Sequence, residues 1–396
     1  MHNRDILISG ASIAGPALAL ALRRHGYRPT IVERAPALRP GGYKVDIRGA
    51  AVRVLERMDL HDAVFSARTD MRGGSYVDDA GRAVVTLDGD LIGFRCDDDL
   101  EILRGELARI LYERSRDEVE YSFGDSIAAL AEDDDGVTVR FERGAPRRFA
   151  LVVGADGLHS NVRALAFADA AAHERPLGGY IAIFSVANRW QLDRWELIHR
   201  APGRIVNVYS TRGDERAKAC FIFSSPPLAF DRRDVARQKA LLAEAYAGVG
   251  WETPRLLAEL PGADDFYFDS MTQIDLPRWS AGRVVLVGDA AYCPSPSSGQ
   301  GTSLALVGAH VLAAELAAAD GAHVAAFARY QSRMREFVAH NQTLGRDIVA
   351  QLANTGRGAM WLQTQAMRVM SRLPWRNWLL APFMKKLRHA ANAVAL

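Results

Sequence analysis

Gly10-Ala11-Ser12-Ile13-Ala14-Gly15 and Glu33 are the residues of this chain whose types and spacing point most directly to chemistry. Glycines so spaced let the backbone turn tightly and approach a phosphate. The N–H groups of a following helix then face the anion, and an acid about 20 residues downstream accepts from a ribose hydroxyl. Ser12 stands where the pattern has its second glycine; it is small, and its hydroxyl can donate to phosphate. Two later stretches have the same character. Asp156-Gly157-Leu158-His159-Ser160 follows an apolar run and leads to Asn161-Val162-Arg163, and Gly288-Asp289-Ala290-Ala291 follows Val284-Val285-Leu286-Val287. Each is an acid-bearing turn ahead of a helix N-terminus. The chemistry implied is the binding of a dinucleotide. No metal cluster or nucleophile–base pairing stands out, so a bound cofactor would carry the reaction and the protein would orient it.

The elements that must position these residues follow from hydrophobic periodicity. Asp5 to Ser9 is a short apolar run and reads as a buried strand; Pro16 to His25 is Ala- and Leu-rich and reads as a helix; Tyr27 to Val32 reads as a second strand. Ala50 to Met58 reads as helical, Met71 to Phe94 as hairpins broken at Asp78-Asp79-Ala80-Gly81 and Asp88-Gly89-Asp90, and Phe149 to Val153 as a strand entering the second loop. From Gly178 to Asp269 the pattern is β-rich, with a helical insert at 234–247. A Pro/Ser/Gly loop from Tyr292 to Gly301 opens a helix at Thr302. The remainder is helical, with breaks expected at Gly356, Gly358, Pro374 and Pro382. The fold class expected is α/β, a Rossmann-like nucleotide domain with an inserted β-sheet substrate domain and C-terminal helices. The nucleotide domain is assigned to 1–72, 96–175 and 270–345, the substrate domain to 73–95 and 176–269, and the helical segment to 346–396.

Composition narrows the function. The chain has 396 residues, enough for two closely packed domains, and 49% of them are apolar. A formal net charge of +2 on an evenly charged chain argues against a dedicated nucleic-acid partner. Cys96, Cys220 and Cys293 are far apart, without metal-type spacing, and suit a reducing cytoplasm. The N-terminus carries no signal-peptide pattern, and no apolar run reaches the ~18 residues that span a bilayer. Trp361, Trp375, Trp378 and Phe383, with Arg and Lys between them, read as helices capping the substrate pocket. A membrane-surface helix is the alternative, and no stable membrane association is expected.

The three motifs in this order resemble those of the class A flavoprotein monooxygenases, the family of para-hydroxybenzoate hydroxylase. The likeness covers roughly residues 4 to 345. Length and the segment around Asp46 look most like the small tetracycline-inactivating and polyketide- or indole-tailoring enzymes. The resemblance implies that FAD is the cofactor, with Gly10, Ser12, Ile13, Ala14 and Gly15 around its pyrophosphate, Glu33 on the adenosine ribose and Arg34 beside the adenine. It places Asp46 and Arg104 on the flavin side. It also puts Asp156 and Gly157 in a loop serving both FAD and NADPH, Asp289 on the ribityl chain, and the backbone from Ser298 through Gly299 to Gly301 against the flavin ring. Pro296 matches a proline near the reactive face, a positioning role, and no acid or base is assigned. Arg39 is a candidate contact for NAD(P)H. Arg48, Tyr180, Tyr209 and Phe223 are candidates for the pocket of a flat apolar substrate. Two departures stand out: Tyr292 replaces the histidine usual after Gly-Asp-Ala-Ala, and Ala150 a frequent aspartate.

The activity implied is hydroxylation of an aromatic or polycyclic small molecule with NAD(P)H and O2, through a flavin hydroperoxide, by a monomer or weak homodimer. An epoxidase or a flavin oxidoreductase that inserts no oxygen is the alternative, and a non-catalytic nucleotide-binding protein is the alternative of another class.

Overall fold

The computed structural model describes residues 4–38, 42–96, 98–353, 356–372 and 376–396. Asp5–Ser9 lies inside a six-stranded sheet because Ile6, Leu7 and Ile8 leave it no polar face to show to water. Arg28–Glu33 and Leu151–Gly154 pair with it in parallel on either side. Glu120–Phe123 and Val284–Leu286 extend the parallel set, and Ser280–Ala281 closes one edge antiparallel. In this order the first loop, the second loop, the third loop and Glu33 all leave the carboxyl ends of four neighbouring strands. Open parallel sheets bind their ligands there.

The second sheet has seven strands, in the order Tyr267–Ile274, Glu174–Ala187, Arg216–Ser224, Arg204–Ser210, Trp195–Ala201, Gly73–Val77 and Ala83–Asp88. All pairs are antiparallel except Trp195–Ala201 with Gly73–Val77. Tyr267–Ile274 straddles the boundary expected at residue 269. Asp88-Gly89-Asp90 is not a turn between strands: Asp88 accepts from the Leu91 amide at 2.9 Å and caps the one-turn helix Gly89–Ile92. Thr253–Glu259 is a helix the sequence reading leaves out.

Alternation divides this sheet into two faces. Tyr180, Phe184, Val206, Phe221 and Phe223 pack outward under the helix Val235–Ala245, with Leu242 and Tyr246 over them. Ile181, Ile183, Tyr209 and Cys220 lie on the other face and meet Met71, Met271 and Val349. Val349 belongs to the long helix His323–Ala353, which packs on the helix Gly301–Ala318 and on Glu174–Ala187 and Arg216–Ser224 of the seven-stranded sheet.

Gly301–Ala318 is the helix among the described residues that is long and apolar enough to cross a membrane; 72% of its apolar window is buried inside the protein, so it is a core helix. Of the breaks expected near the C-terminus, Gly358 lies within the helix Arg357–Arg372 and Pro382 within the helix Arg376–Asn392. A proline removes one helical hydrogen bond, and here the helix continues through the gap. Pro374 and Trp375 lie outside the described residues.

Candidate active site

The first loop is built by glycine. Gly10 has φ 111°, and a Cβ there would stand 2.4 Å from the carbonyl oxygen of Ala155, so the first and second loops touch through a position that admits no side chain. A Cβ on Gly15 would lie 1.9 Å from the Gly10 carbonyl oxygen. The helix Ala14–Arg24 that follows has neither a side-chain cap nor an acid in its first turn, so its N–H groups present positive potential to the cleft. Glu33 accepts from the amides of Ala11 at 2.9 Å and Ala35 at 2.8 Å, fixing the acid beside the glycine turn. Arg34 is exposed next to it. Ser12 accepts from Arg104 Nη2 at 2.8 Å, which brings a guanidinium over the turn where the pattern lacks its second glycine.

In the second loop Asp156 is engaged within its own turn. One oxygen accepts from Ser160; the other accepts from the amides of Asn161 at 2.8 Å and Val162 at 3.1 Å, at the start of the helix Asn161–Ala166. Burial raises its pKa against these bonds. Its carboxylate shapes the loop, and Gly157, at φ 82° with open space before it, offers the closest approach.

The third loop opens at Gly288, where a Cβ would lie 3.3 Å from that of Ala14 and 3.7 Å from that of Ala305. The start of the first helix and the first turn of Gly301–Ala318 therefore flank one point. Asp289 begins the short helix Asp289–Tyr292 and lies 3.6 Å from where a Gly301 side chain would start. Burial raises its pKa, and Arg104 and the Cys293 thiol pull it back. Pro296 starts the turn Pro296–Ser298; Ser295 before it and Gly299 after it both have positive φ, 75° and 65°. Asp46 reaches this turn: its Oδ2 accepts from Arg48 at 2.8 Å and lies 3.4 Å from a Cβ built on Gly299. Burial pushes the Asp46 pKa up and Arg48 opposes it.

Arg48 is 6% exposed and donates to the carbonyls of Gly93 and Phe94 as well as to Asp46, and it lines a cavity with Val52, Cys96, Asp99 and Leu387. Two other substrate-pocket expectations need correcting. Tyr180 and Phe223 stack on each other at 5.3 Å on the outward face of the sheet, away from the cleft, because register puts the even-numbered residues of Glu174–Ala187 there. Tyr209 is on the opposite face, packed with Met71, Ile181 and Met271, its hydroxyl accepting from the Lys44 amide at 3.4 Å. Arg39 lies outside the described residues.

Other site residues emerge only in three dimensions. Lys44 Nζ lies 3.2 Å from Glu196, 3.5 Å from Glu101 and 4.7 Å from the centre of the Tyr209 ring. Burial alone would lower its pKa; the two carboxylates outweigh this and hold it above the usual lysine range. Glu101 also faces Arg95 at 3.5 Å, and although burial works the other way, the cations keep its pKa below normal. Asn207 donates to Glu196 at 2.8 Å. Nearer the flavin-side loops, Asp269 accepts from Tyr267 at 3.2 Å and pairs with His159 at 3.3 Å, and the ring of Tyr43 lies 5.6 Å from that of Tyr267. Apart from Tyr43 beside Lys44, and the pairs Tyr267/Asp269 and Asn207/Tyr209, each two apart on one strand, linear spacing does not join these residues, which come from different elements.

An open parallel sheet whose carboxyl edge carries two uncapped helix starts, a glycine turn and three half-buried carboxylates is built to bind a dinucleotide. The chain belongs to the FAD binding domain family, whose model matches residues 3–343. It is 46% identical over 346 residues to the uncharacterized protein Rv1260 of Mycobacterium tuberculosis (strain ATCC 25618 / H37Rv), covering 87% of this chain and 93% of that one. It is 44% identical over 344 residues to a flavin-dependent monooxygenase of an unknown prokaryotic organism, with 87% and 89% covered. Among solved structures, tetracycline destructase Tet(55) superposes with a TM-score of 0.86 at 38% identity, covering 100% of this chain and 98% of that one. The chain is thus a flavin-dependent monooxygenase with FAD as cofactor and NAD(P)H and O2 as co-substrates. The site fits FAD on its own evidence. Gln300 is fully buried with neither end of its amide hydrogen-bonded, and Asp46 Oδ1 is likewise buried without a partner. Buried polar atoms left so are costly unless a ligand meets them.

Proposed function

We propose that this monooxygenase hydroxylates a flat, polycyclic, oxygen-bearing molecule, with tetracyclines the first class to try, in the cleft between the two sheets. The observation that carries the reading is the convergence of the three loops and Glu33 on the carboxyl ends of four adjacent strands. In this reading Gly10, Ser12, Ile13, Ala14 and Gly15 hold the pyrophosphate, Glu33 the adenosine ribose and Arg34 the adenine. Asp289 holds the ribityl chain, and Gly299, Gly301 and the buried Gln300 border the ring, with Pro296 setting the distance to the substrate. Asp46 and Arg104 fix the flavin side, and Gly157 gives backbone approach. The helix start at Gly301 stabilises negative charge on a ring system placed against it.

FAD supplies the activation of O2 with electrons from NAD(P)H. The chain's own part is to bind, orient and keep water out. Met71, Ile181, Ile183 and Met271 form an apolar wall, and Tyr43, Tyr209 and Tyr267 add aromatic faces suited to a planar ring. Lys44, anchored by Glu101 and Glu196, offers a cation beside Tyr209 to an ionised oxygen of the substrate. Tyr267, Asp269 and His159 form a hydrogen-bonded path for a proton.

The test is reaction with heavy-oxygen gas, FAD, NADPH or NADH and a panel of tetracyclines, other polyketides and indoles. A product carrying one heavy oxygen atom is expected. FAD-loaded protein whose NAD(P)H oxidation no panel member stimulates, or product without the label, would overturn the proposal.

A further inference from the structure

We propose that Glu336, His340 and His389 form a binding site for a divalent transition-metal ion of the zinc type, clipping the C-terminal helix to the long helix. Glu336 and His340 are one helical turn apart on His323–Ala353, so their side chains lie on one face. His389 comes from the facing helix Arg376–Asn392. Each residue offers one ligand atom, and the three atoms lie within 4.8 Å of one another. Glu336 Oε1 and His340 Nε2 are already 3.4 Å apart, and the two imidazole rings meet edge to face at 4.6 Å. Bond lengths of about 2.0–2.2 Å in a tetrahedral zinc site put neighbouring donors about 3.3–3.6 Å apart, so one pair is in place. The Glu336 side chain is 74% exposed, so the pair it makes with His340 opens to solvent beside His389.

The backbones that carry the donors are fixed independently. Asn341, fully buried beside His340, donates to the carbonyls of Phe337 at 2.8 Å and Ala390 at 3.0 Å, bridging the two helices next to both histidines. Arg333 donates to the Ala395 carbonyl at 2.8 Å on the same seam. Two cations of these helices are already matched by acids, Lys386 by Asp347 and Arg333 by Glu315. Two imidazoles and one carboxylate form a borderline donor set that suits zinc, nickel or copper over magnesium or calcium, and three protein ligands leave a position for water. The site is separate from the flavin cleft and depends on no assignment made there. Linear spacing hides it, because its histidines stand on different helices.

Calorimetric titration of the FAD-loaded, chelator-treated protein with zinc chloride, paired with thermal melts, tests the site. One equivalent is expected to bind, with the melting temperature rising about 3 °C at a hundredfold excess over Kd. His340→Ala, His389→Ala and Glu336→Gln should each weaken binding at least about tenfold and lose the shift. His61→Ala, which removes a half-buried histidine beside Asp62 on the separate helix His61–Ser66, should change neither. Absence of a saturable site in the native protein, or unchanged stoichiometry and affinity in His340→Ala and His389→Ala, would overturn the proposal.

Discussion

Tyr292 stands where the resemblance implies histidine, and its accommodation can be tested through a glycine on another helix. Its ring packs on Trp279 at 4.6 Å, and its hydroxyl accepts from Tyr330 at 3.0 Å. A Cβ on Gly308, in the middle of Gly301–Ala318, would fall 1.9 Å from that hydroxyl oxygen, 3.2 Å from Cζ and 3.4 Å from Val287 Cγ2. Gly308 is therefore the hole into which the tyrosine oxygen fits. Gly308→Ala gains about 1 kcal/mol of helix propensity. With Tyr292 only 1% exposed the ring has nowhere to swing, and the overpacking costs about 2–3 kcal/mol. The net is a loss of about 1–2 kcal/mol, or about 1–2 °C in the melting temperature of a chain this long. Tyr292→Phe loses one buried hydrogen bond, about 1 kcal/mol. Adding Gly308→Ala to Tyr292→Phe should then be neutral or stabilising, since only the 3.2 Å approach to Cζ remains. The double-mutant coupling is about 2 kcal/mol, read from melts at saturating FAD. Because Tyr292 ends the turn that starts at Asp289, flavin retention on gel filtration should fall for Gly308→Ala alone and recover in the double variant. Equal destabilisation by Gly308→Ala in both backgrounds would refute the fit.

Three further outcomes follow from the geometry. Gly10→Ala puts a methyl 2.4 Å from the Ala155 oxygen at φ 111°, so it should purify largely without flavin and melt several degrees lower, checked by the flavin-to-protein absorbance ratio and calorimetry. Arg104→Ala removes the donor to Ser12 and the cation that opposes burial at Asp289, so FAD affinity should drop about 10–100-fold in a fluorescence titration, with melting of the flavin-free protein changed little. Burial alone would raise the Asp265 pKa, but bonds from Lys218 and Ser185 bring it down to about 2; the resulting stability is present above the ordinary carboxylate range and lost as pH falls toward 2. That shift is discounted to about 1 kcal/mol because the Asp265 side chain is 43% exposed, and Asp265→Asn should flatten the pH 5-to-2 stability curve by that amount in urea titrations.

How far the sequence discloses such a site depends on which interactions are local. The glycine turns were legible because their requirement is in the backbone: Gly10 and Gly288 adopt positive φ, and small residues must stand there whatever packs around them. Apolar runs ending in those turns also disclosed the parallel sheet, since a strand buried on both faces has no alternation to misread. The second sheet behaves oppositely. Its strands show one face to each layer, and a one-residue change of phase exchanges the faces. Tyr180, Phe223 and Tyr209 are all aromatic residues on strands, yet the first two seal the outer core and only the third lies on the face toward Met71, Met271 and Val349. What distinguishes them is which layer covers which face, a property of the helices Val235–Ala245 and His323–Ala353 and not of the strands. Charges follow the same logic. Arg48 and Asp46, two residues apart, invite a functional reading, but the arginine is used up by local carbonyls while the aspartate keeps a buried oxygen unmet. Lys44, by contrast, looks like an ordinary strand lysine until Glu101 and Glu196 arrive from elements dozens of residues away. A buried cation between two carboxylates costs desolvation that only their attraction offsets. Lys44 and Glu101 sit on the two-stranded ribbon Lys44–Ile47 with Leu100–Leu103, and the ion pair with Glu196 ties that ribbon to Trp195–Ala201 of the seven-stranded sheet.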